Sequence, residues 1–242
     1  MTQWYQRNRE LFCKERNALV STCPLMRMVI APLGFRINRV SSLKHESAIA
    51  HGTYLLRIPD SNKQIEYGIV LVFPNNYPKE APLMFCNDPK LPIGDIDRHI
   101  MNDGMACLGV HAEIYMRWQP SPNFVNFLEQ LVAPFLAWQA YYDVYQKPPS
   151  WGERSHYGNG IIQFYAELLG RKPDPSVANF IQLLAKKDHP KGHTLCPCNS
   201  GVKLRNCHKE LVDEMRKRIP WQEVEKDLSA LLLSNHRFEE RN

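Results

Sequence analysis

The stretch from residue 64 to residue 82 limits this chain more than any other. Ile65, Tyr67, Ile69, Leu71 and Phe73 alternate with Glu66, Gly68, Val70 and Val72, so one face is apolar throughout and the other becomes so. That pattern suits a central strand. The run then meets Pro74, Pro78 and Pro82, with Tyr77 among them. Proline fixes φ and has no N–H, so neither a helix nor a central strand can continue there. A long irregular segment follows, carrying His99, Asn102, Gly104, Cys107 and Leu108. Loops on a rigid scaffold carry function, and this one brings polar groups toward a single thiol. Cys107 is therefore where chemistry is expected.

The flanks of this stretch predict an α+β chain. Trp4, Leu11 and Ala18 recur at helical spacing, with Tyr5, Phe12 and Leu19 beside them, and predict an amphipathic helix over 3–20. Its other face carries Arg7, Arg9, Lys14 and Arg16, either a solvated face or a docking surface for an acidic partner. Strands are expected over 27–30, 35–40, 49–58, 64–73 and 83–86, with Pro59-Asp60-Ser61-Asn62 as one of the turns. Close spacing and short turns make these an antiparallel meander. Phe124, Phe127, Leu128, Leu131, Phe135 and Trp138 predict a helix over 123–145, kinked at Pro134. A further helix over 160–169 buries Ile161, Ile162, Tyr165 and Leu168. Asp174 and Pro175 read as N-cap and first helical residue of a helix through 186. A polar linker over 186–194 and helices over 209–219 and 221–233 complete the chain.

Cysteine usage sets the compartment. Seven cysteines is an odd number, and three of them crowd between 196 and 207 in a chain of 242 residues. A small disulfide scaffold would be shorter and would spread them more evenly. The expectation is a reducing cytoplasm, one metal site, and buried core thiols at Cys13, Cys23 and Cys86. The N-terminus lacks the apolar run of a signal peptide, and no stretch approaches the ~20 apolar residues of a membrane span. A net charge of +5 permits acidic partners without demanding them.

The irregular segment carries a resemblance. A helix, a meander, Phe73-Pro74-Asn75-Asn76-Tyr77-Pro78 with Pro82, His99, Asn102, Gly104-Met105-Ala106-Cys107-Leu108, and then Trp118-Gln119-Pro120-Ser121 opening a helix occur in that order. Together they resemble the ubiquitin-conjugating enzyme fold over roughly residues 3–145. The resemblance implies thioester relay: Cys107 accepts the C-terminal acyl group of a ubiquitin-like protein from an activating enzyme and passes it to an amine of a target protein. A thiolate is both a good nucleophile and a good leaving group, which suits each half-reaction. The family asparagine supports the loop and the oxyanion, and Asn102 is the candidate here. The family's His-Pro-Asn triplet is replaced by His99-Ile100-Met101-Asn102, and the span from histidine to cysteine is shorter. His99 is thus either a loop buttress or a base, while Asp103 and His111 flank the cysteine as further candidate bases.

The segment Cys196-Pro197-Cys198-Asn199-Ser200-Gly201-Val202-Lys203, followed by Cys207-His208, resembles the SEC-C motif, named for the C-terminus of the SecA translocase. The resemblance implies structural zinc held by Cys196, Cys198, Cys207 and His208. Three thiolates and an imidazole close a tetrahedral shell and leave no open position for a substrate. Lys186, Lys187, Lys191, Lys203, Arg205 and Lys209 make this end basic, either a solvated surface or a docking surface for an acidic protein or a nucleic acid. No stacking aromatics interleave them, so specific single-strand binding lacks support and nucleic acid is not the expected partner. The expected organisation is a conjugating-like domain over 1–148, a helical extension and linker over 149–190, and a zinc module over 191–242. Both resemblances imply a bacterial setting: operons for ubiquitin-like conjugation, including antiphage systems, some of which conjugate a CBASS-type nucleotidyltransferase. The rival expectation is a non-catalytic adaptor that binds a ubiquitin-like protein and recruits a partner through its zinc end.

Overall fold

The computed structural model describes residues 2–58, 63–151 and 154–239, apart from the side chains of 235–239. The turn expected over 59–62 lies outside the described residues. The chain runs through α1 (Trp4–Arg7), α2 (Arg9–Thr22), β1 (Met26–Ala31), β2 (Ser47–Arg57), β3 (Gln64–Val72) and β4 (Leu83–Cys86). It continues through α3 (His111–Trp118), α4 (Phe124–Phe127), α5 (Ala133–Tyr145), α6 (Tyr157–Leu168), α7 (Pro175–Leu184), α8 (Lys209–Arg218) and α9 (Trp221–Glu239). It divides into two compact units, Met1–Leu108 with Arg117–Glu153, and Gly109–Met116 with Arg154–Asn242.

The first unit is a mixed α and β structure on a four-stranded antiparallel sheet ordered β1-β2-β3-β4. Ile49 pairs with Val72, Tyr54 with Tyr67, and Val70 with Phe85. Ile69, Val70 and Leu71 are all buried, so the end of β3 is covered on both faces, as its composition requires. One cover comes from the β1–β2 connection. Ile37 and Leu43 pack with Ile49, Val70 and Phe85, and Phe35 lies against them. Residues 35–40, expected as a strand, are therefore a loop. Gly34 at φ 82° turns the chain, and Gly34 N–H donates to Leu43 O while Leu43 N–H donates to Phe35 O, each at 2.9 Å. Their apolar alternation reflects a lid over the sheet rather than a place in it.

The helix expected over 3–20 is two helices, because Asn8 ends α1 and caps α2 by accepting from Leu11 N–H at 3.0 Å. The helix expected over 123–145 is interrupted by one wide π turn at Leu128–Val132, just ahead of Pro134. Proline cannot donate to the carbonyl of Gln130, and Arg117 Nη1 approaches that oxygen at 3.5 Å instead. Trp118 closes α3 rather than opening a helix; Asn123 caps α4.

The proline turn is anchored by aromatics. The Tyr77 ring lies 4.7 Å from Trp4, 5.0 Å from Phe73 and 5.9 Å from Trp118, centroid to centroid. Its hydroxyl donates to Glu15 Oε1 at 2.6 Å, and Glu15 Oε2 accepts from Phe124 N–H at 3.0 Å. One buried carboxylate thus joins α2, the turn and the start of α4. Burial and the adjacent Glu15 drive the Tyr77 hydroxyl far above its ordinary range.

The second unit is helical. Phe164, Tyr165, Val177, Phe180, Ile181, Val212 and Met215 share one core with Cys196 and Leu204. Helices from 149–190 and the cysteine segment from 191–242 therefore belong to the same packed body. Asp174 Oδ1 caps α7 by accepting from Ser176 N–H at 2.7 Å, with Pro175 in the first turn. At the other end the Arg216 guanidinium donates to the carbonyls of Leu184, Lys186 and Lys187. Asp227 of α9 accepts from His111 N–H at 2.8 Å, Ala112 N–H at 3.0 Å and the Tyr165 hydroxyl at 2.9 Å, capping the start of α3.

Candidate functional site

Cys107 is exposed, and the backbone fixes where its thiol leaves the fold. Residues 99–107 form a tight hairpin. Cys107 N–H donates to His99 O at 2.8 Å, Ile100 bridges Ala106, and Met101 N–H donates to Met105 O at 2.9 Å. The returning arm adds to the free edge of β4: Cys86 N–H donates to Gly104 O at 2.8 Å and Ala106 N–H to Met84 O at 2.9 Å. Cys107 stands at the root of this hairpin, one residue beyond the last bond to the sheet.

His99 and Asn102 occupy its two ends. His99 adopts a left-handed backbone at φ 56°, its carbonyl receives the Cys107 N–H, and its ring meets Trp138 edge-on at 5.5 Å. Asn102 is exposed at the turn, about 10 Å of strand rise from the Cys107 end. Asp103 Oδ1 accepts from Met105 N–H at 3.0 Å and so shapes the turn. His111 opens α3 and belongs to the second unit. Asp95 accepts from Arg98 N–H at 3.2 Å and caps the short turn Ile96–Arg98.

Residues that sequence reasoning missed hold this hairpin. Before it, Arg98 is buried: Nε donates to Gln139 Oε1 at 2.9 Å, Nη2 pairs with Asp143 at 2.7 Å, and the guanidinium lies over Tyr142. Gln139 Nε2 donates back to Arg98 O at 2.8 Å. At the turn, the buried side chain of Asn38 reaches Asp103 O and Cys86 O. An isolated arginine and a loop asparagine carry no spacing signal, since the bonds by which they hold the hairpin reach across at least 41 residues. Of the other thiols in this unit, Cys23 and Cys86 are buried, and burial pushes them up to about 11 and about 12. Cys13, expected in the core, is only half-buried.

In the second unit Cys196, Cys198, Cys207 and His208 bring their ligand atoms within 4.8 Å of one another and could hold a metal ion. Cys198 Sγ lies 3.6 Å from Cys207 Sγ, and His208 Nδ1 lies 3.2 Å from Cys196 Sγ and 3.1 Å from Cys207 Sγ. A tetrahedral ion with ~2.3 Å bonds to sulfur separates its sulfurs by about 3.8 Å, close to the Cys198–Cys207 separation. No disulfide joins these cysteines. Left-handed turns at Asn199 (φ 62°) and Gly201 (φ 74°) fold the Cys-Pro-Cys arm back, and Leu195 bridges Lys203. Burial pushes the Cys196 thiol up to about 11. Burial also opposes the Cys198 thiolate, but hydrogen bonds from Ser200, Cys196 and Cys207 outweigh it and bring that thiol down to about 6.

No helix among the described residues is long and apolar enough to cross a membrane. Comparison with family models, curated proteins and solved structures gave no match.

Proposed function

We propose that the chain is a ubiquitin-conjugating-like acyltransferase that carries the C-terminus of a ubiquitin-like protein, or of a CBASS-type nucleotidyltransferase, on Cys107. The observation that supports it most is an exposed thiol on a hairpin stitched to the edge of an antiparallel sheet. Cys107 Sγ attacks the carbonyl carbon of the thioester presented by an activating enzyme; a C–S bond forms as the enzyme's thiolate leaves. A target amine then attacks the same carbon. A C–N bond forms, the C–S bond breaks, Cys107 departs as thiolate, and the amine proton passes to water. His99 acts through its carbonyl as a buttress of Cys107, and Asn102 acts on the turn.

The activating enzyme would meet the N-terminal helices. Arg7 holds the proline turn through Asn75 and is spoken for. Arg9, Lys14 and Arg16 are exposed and form the candidate contact. A bacterial conjugation or antiphage system is the setting this reading fits.

The metal is inferred to be zinc. Three soft thiolates with one imidazole suit zinc, and the closed shell makes the role structural. Metal analysis of the protein purified without chelator is expected to give one zinc per chain, and a folded protein free of metal would overturn this.

Intact mass after incubation with the activating enzyme, the carried protein and ATP tests the function. A reductant-sensitive adduct is expected on the native chain and none on Cys107→Ala. Equal binding of the carried protein by both, with no adduct on either, would make the chain an adaptor.

A further inference from the structure

We propose that Asn38 is the positioning residue of the Cys107 hairpin, an inference that rests on the reading of Cys107 as acyl acceptor. Asn38 lies in the loop between β1 and β2 and is 3% exposed. Its amide uses every hydrogen-bonding position it has. Oδ1 accepts from Val40 N–H at 3.0 Å and Ser41 N–H at 2.8 Å. Nδ2 donates to Asp103 O at 3.0 Å and Cys86 O at 3.3 Å. The opposite amide orientation would set NH2 against two N–H donors and oxygen against two carbonyls, so only this one is allowed.

The two carbonyls define what the amide does. Cys86 ends β4 and Asp103 lies in the hairpin turn, so one side chain ties the far end of the hairpin to the sheet edge. Ser41 Oγ adds a second donor to Asp103 O at 2.7 Å. Gly104 accommodates the clamp: its φ is +83°, and a Cβ there would lie 2.3 Å from Asn38 Nδ2. With Arg98 fixing the chain just ahead of the hairpin, neither end can swing, and the thiol keeps one direction through both acyl transfers. Such prior ordering lowers the barrier to attack on the carbonyl. Asn38 acts through Asp103 and Gly104 and makes no contact with the reacting atoms.

The test uses the full, zinc-loaded chain with Asn38→Asp, Asn38→Ala and Ser41→Ala. Amide exchange is followed at residues 99–107 and, as reference, in β2; on loaded protein, discharge to free lysine is timed separately from loading. Asn38→Asp keeps the shape but turns an acceptor oxygen toward both carbonyls. It is expected to speed exchange at 99–107 and slow discharge by about tenfold or more, with β2 unchanged. Lowering the pH is expected to reverse part of the exchange effect in Asn38→Asp, whose protonated carboxyl regains one donor, but not in Asn38→Ala. Exchange that stays unchanged at 99–107, or rises equally in β2, overturns the proposal. Should the Asn38 variants not fold, Ser41→Ala decides, with a smaller rise confined to 99–107 expected and no rise overturning it. If the native chain forms no thioester, the conjugating reading fails while the exchange and pH arms still judge the clamp.

Discussion

Arg98 is a guanidinium with little access to water, and its partners are divided between Gln139, Asp143 and the Tyr142 face. Removing one partner of a buried charge costs more than the bond is worth, because the remaining group has no water to turn to. Gln139→Leu leaves Arg98 Nε and the Arg98 carbonyl without their partner and is expected to destabilise the sheet unit by about 2–4 kcal/mol in urea unfolding. Asp227 argues at the same scale in the other unit. Burial raises its carboxyl from 3.8 to about 7, against the pull of Ala112 N–H, the Tyr165 hydroxyl and His111 N–H. A raised carboxyl binds its proton more tightly in the folded chain. The stability it contributes is thus full below about pH 4 and is lost as the pH rises through 7. Compared with Asp227→Asn in thermal unfolding, the native protein is expected to lose relative stability between pH 5 and pH 8.

At the scale of elements, Asn8 shows what a single cap decides. Its Oδ1 takes the Leu11 N–H at the start of α2, and Asn8→Ala is expected to cost about 1 kcal/mol in thermal unfolding. The element signals that were legible are local ones. Alternation in β3, the Pro74–Pro82 turn, and Asp174-Pro175 ahead of α7 each depend on neighbours in the chain. The four cysteine and histidine residues that could hold a metal were also legible, because they lie close in sequence in a run that resembles a known motif. What escaped needed distant partners. The apolar residues of 35–40 look like a strand until the sheet face they cover is known. The carbonyl that Pro134 cannot serve is approached by Arg117 from another helix, and α3 starts with its cap more than a hundred residues away on Asp227. Asn38 gave no sign because an asparagine in a loop normally serves its own turn.

For the whole molecule, the metal and the helical core are one question. Cys196 and Leu204 are buried in the same cluster as Phe180 and Val212, so an ion held by the four cysteine and histidine residues would tie down a loop that completes a core. Chelation is expected to lower the helical transition in circular dichroism. In a Trp221→Phe variant the remaining fluorescence comes from Trp4, Trp118, Trp138 and Trp151, all in the sheet unit, and should hold to a higher temperature. A single transition shifting in both signals would show that the two units melt together. The same division of the chain bears on its synthesis. Gly109–Met116 is counted with the helical unit although sheet-unit residues precede and follow it. On the ribosome those eight residues emerge with the nascent sheet, before the core that Val110 and Ala112 enter and the carboxylate that caps the His111 and Ala112 amides have been made. Asp227 appears 116 and 115 residues later. A gene cut after residue 150 would part Val110 and Ala112 from the core they enter and the two amides from the carboxylate that caps them, so the seam between the units in space is not a seam in the gene.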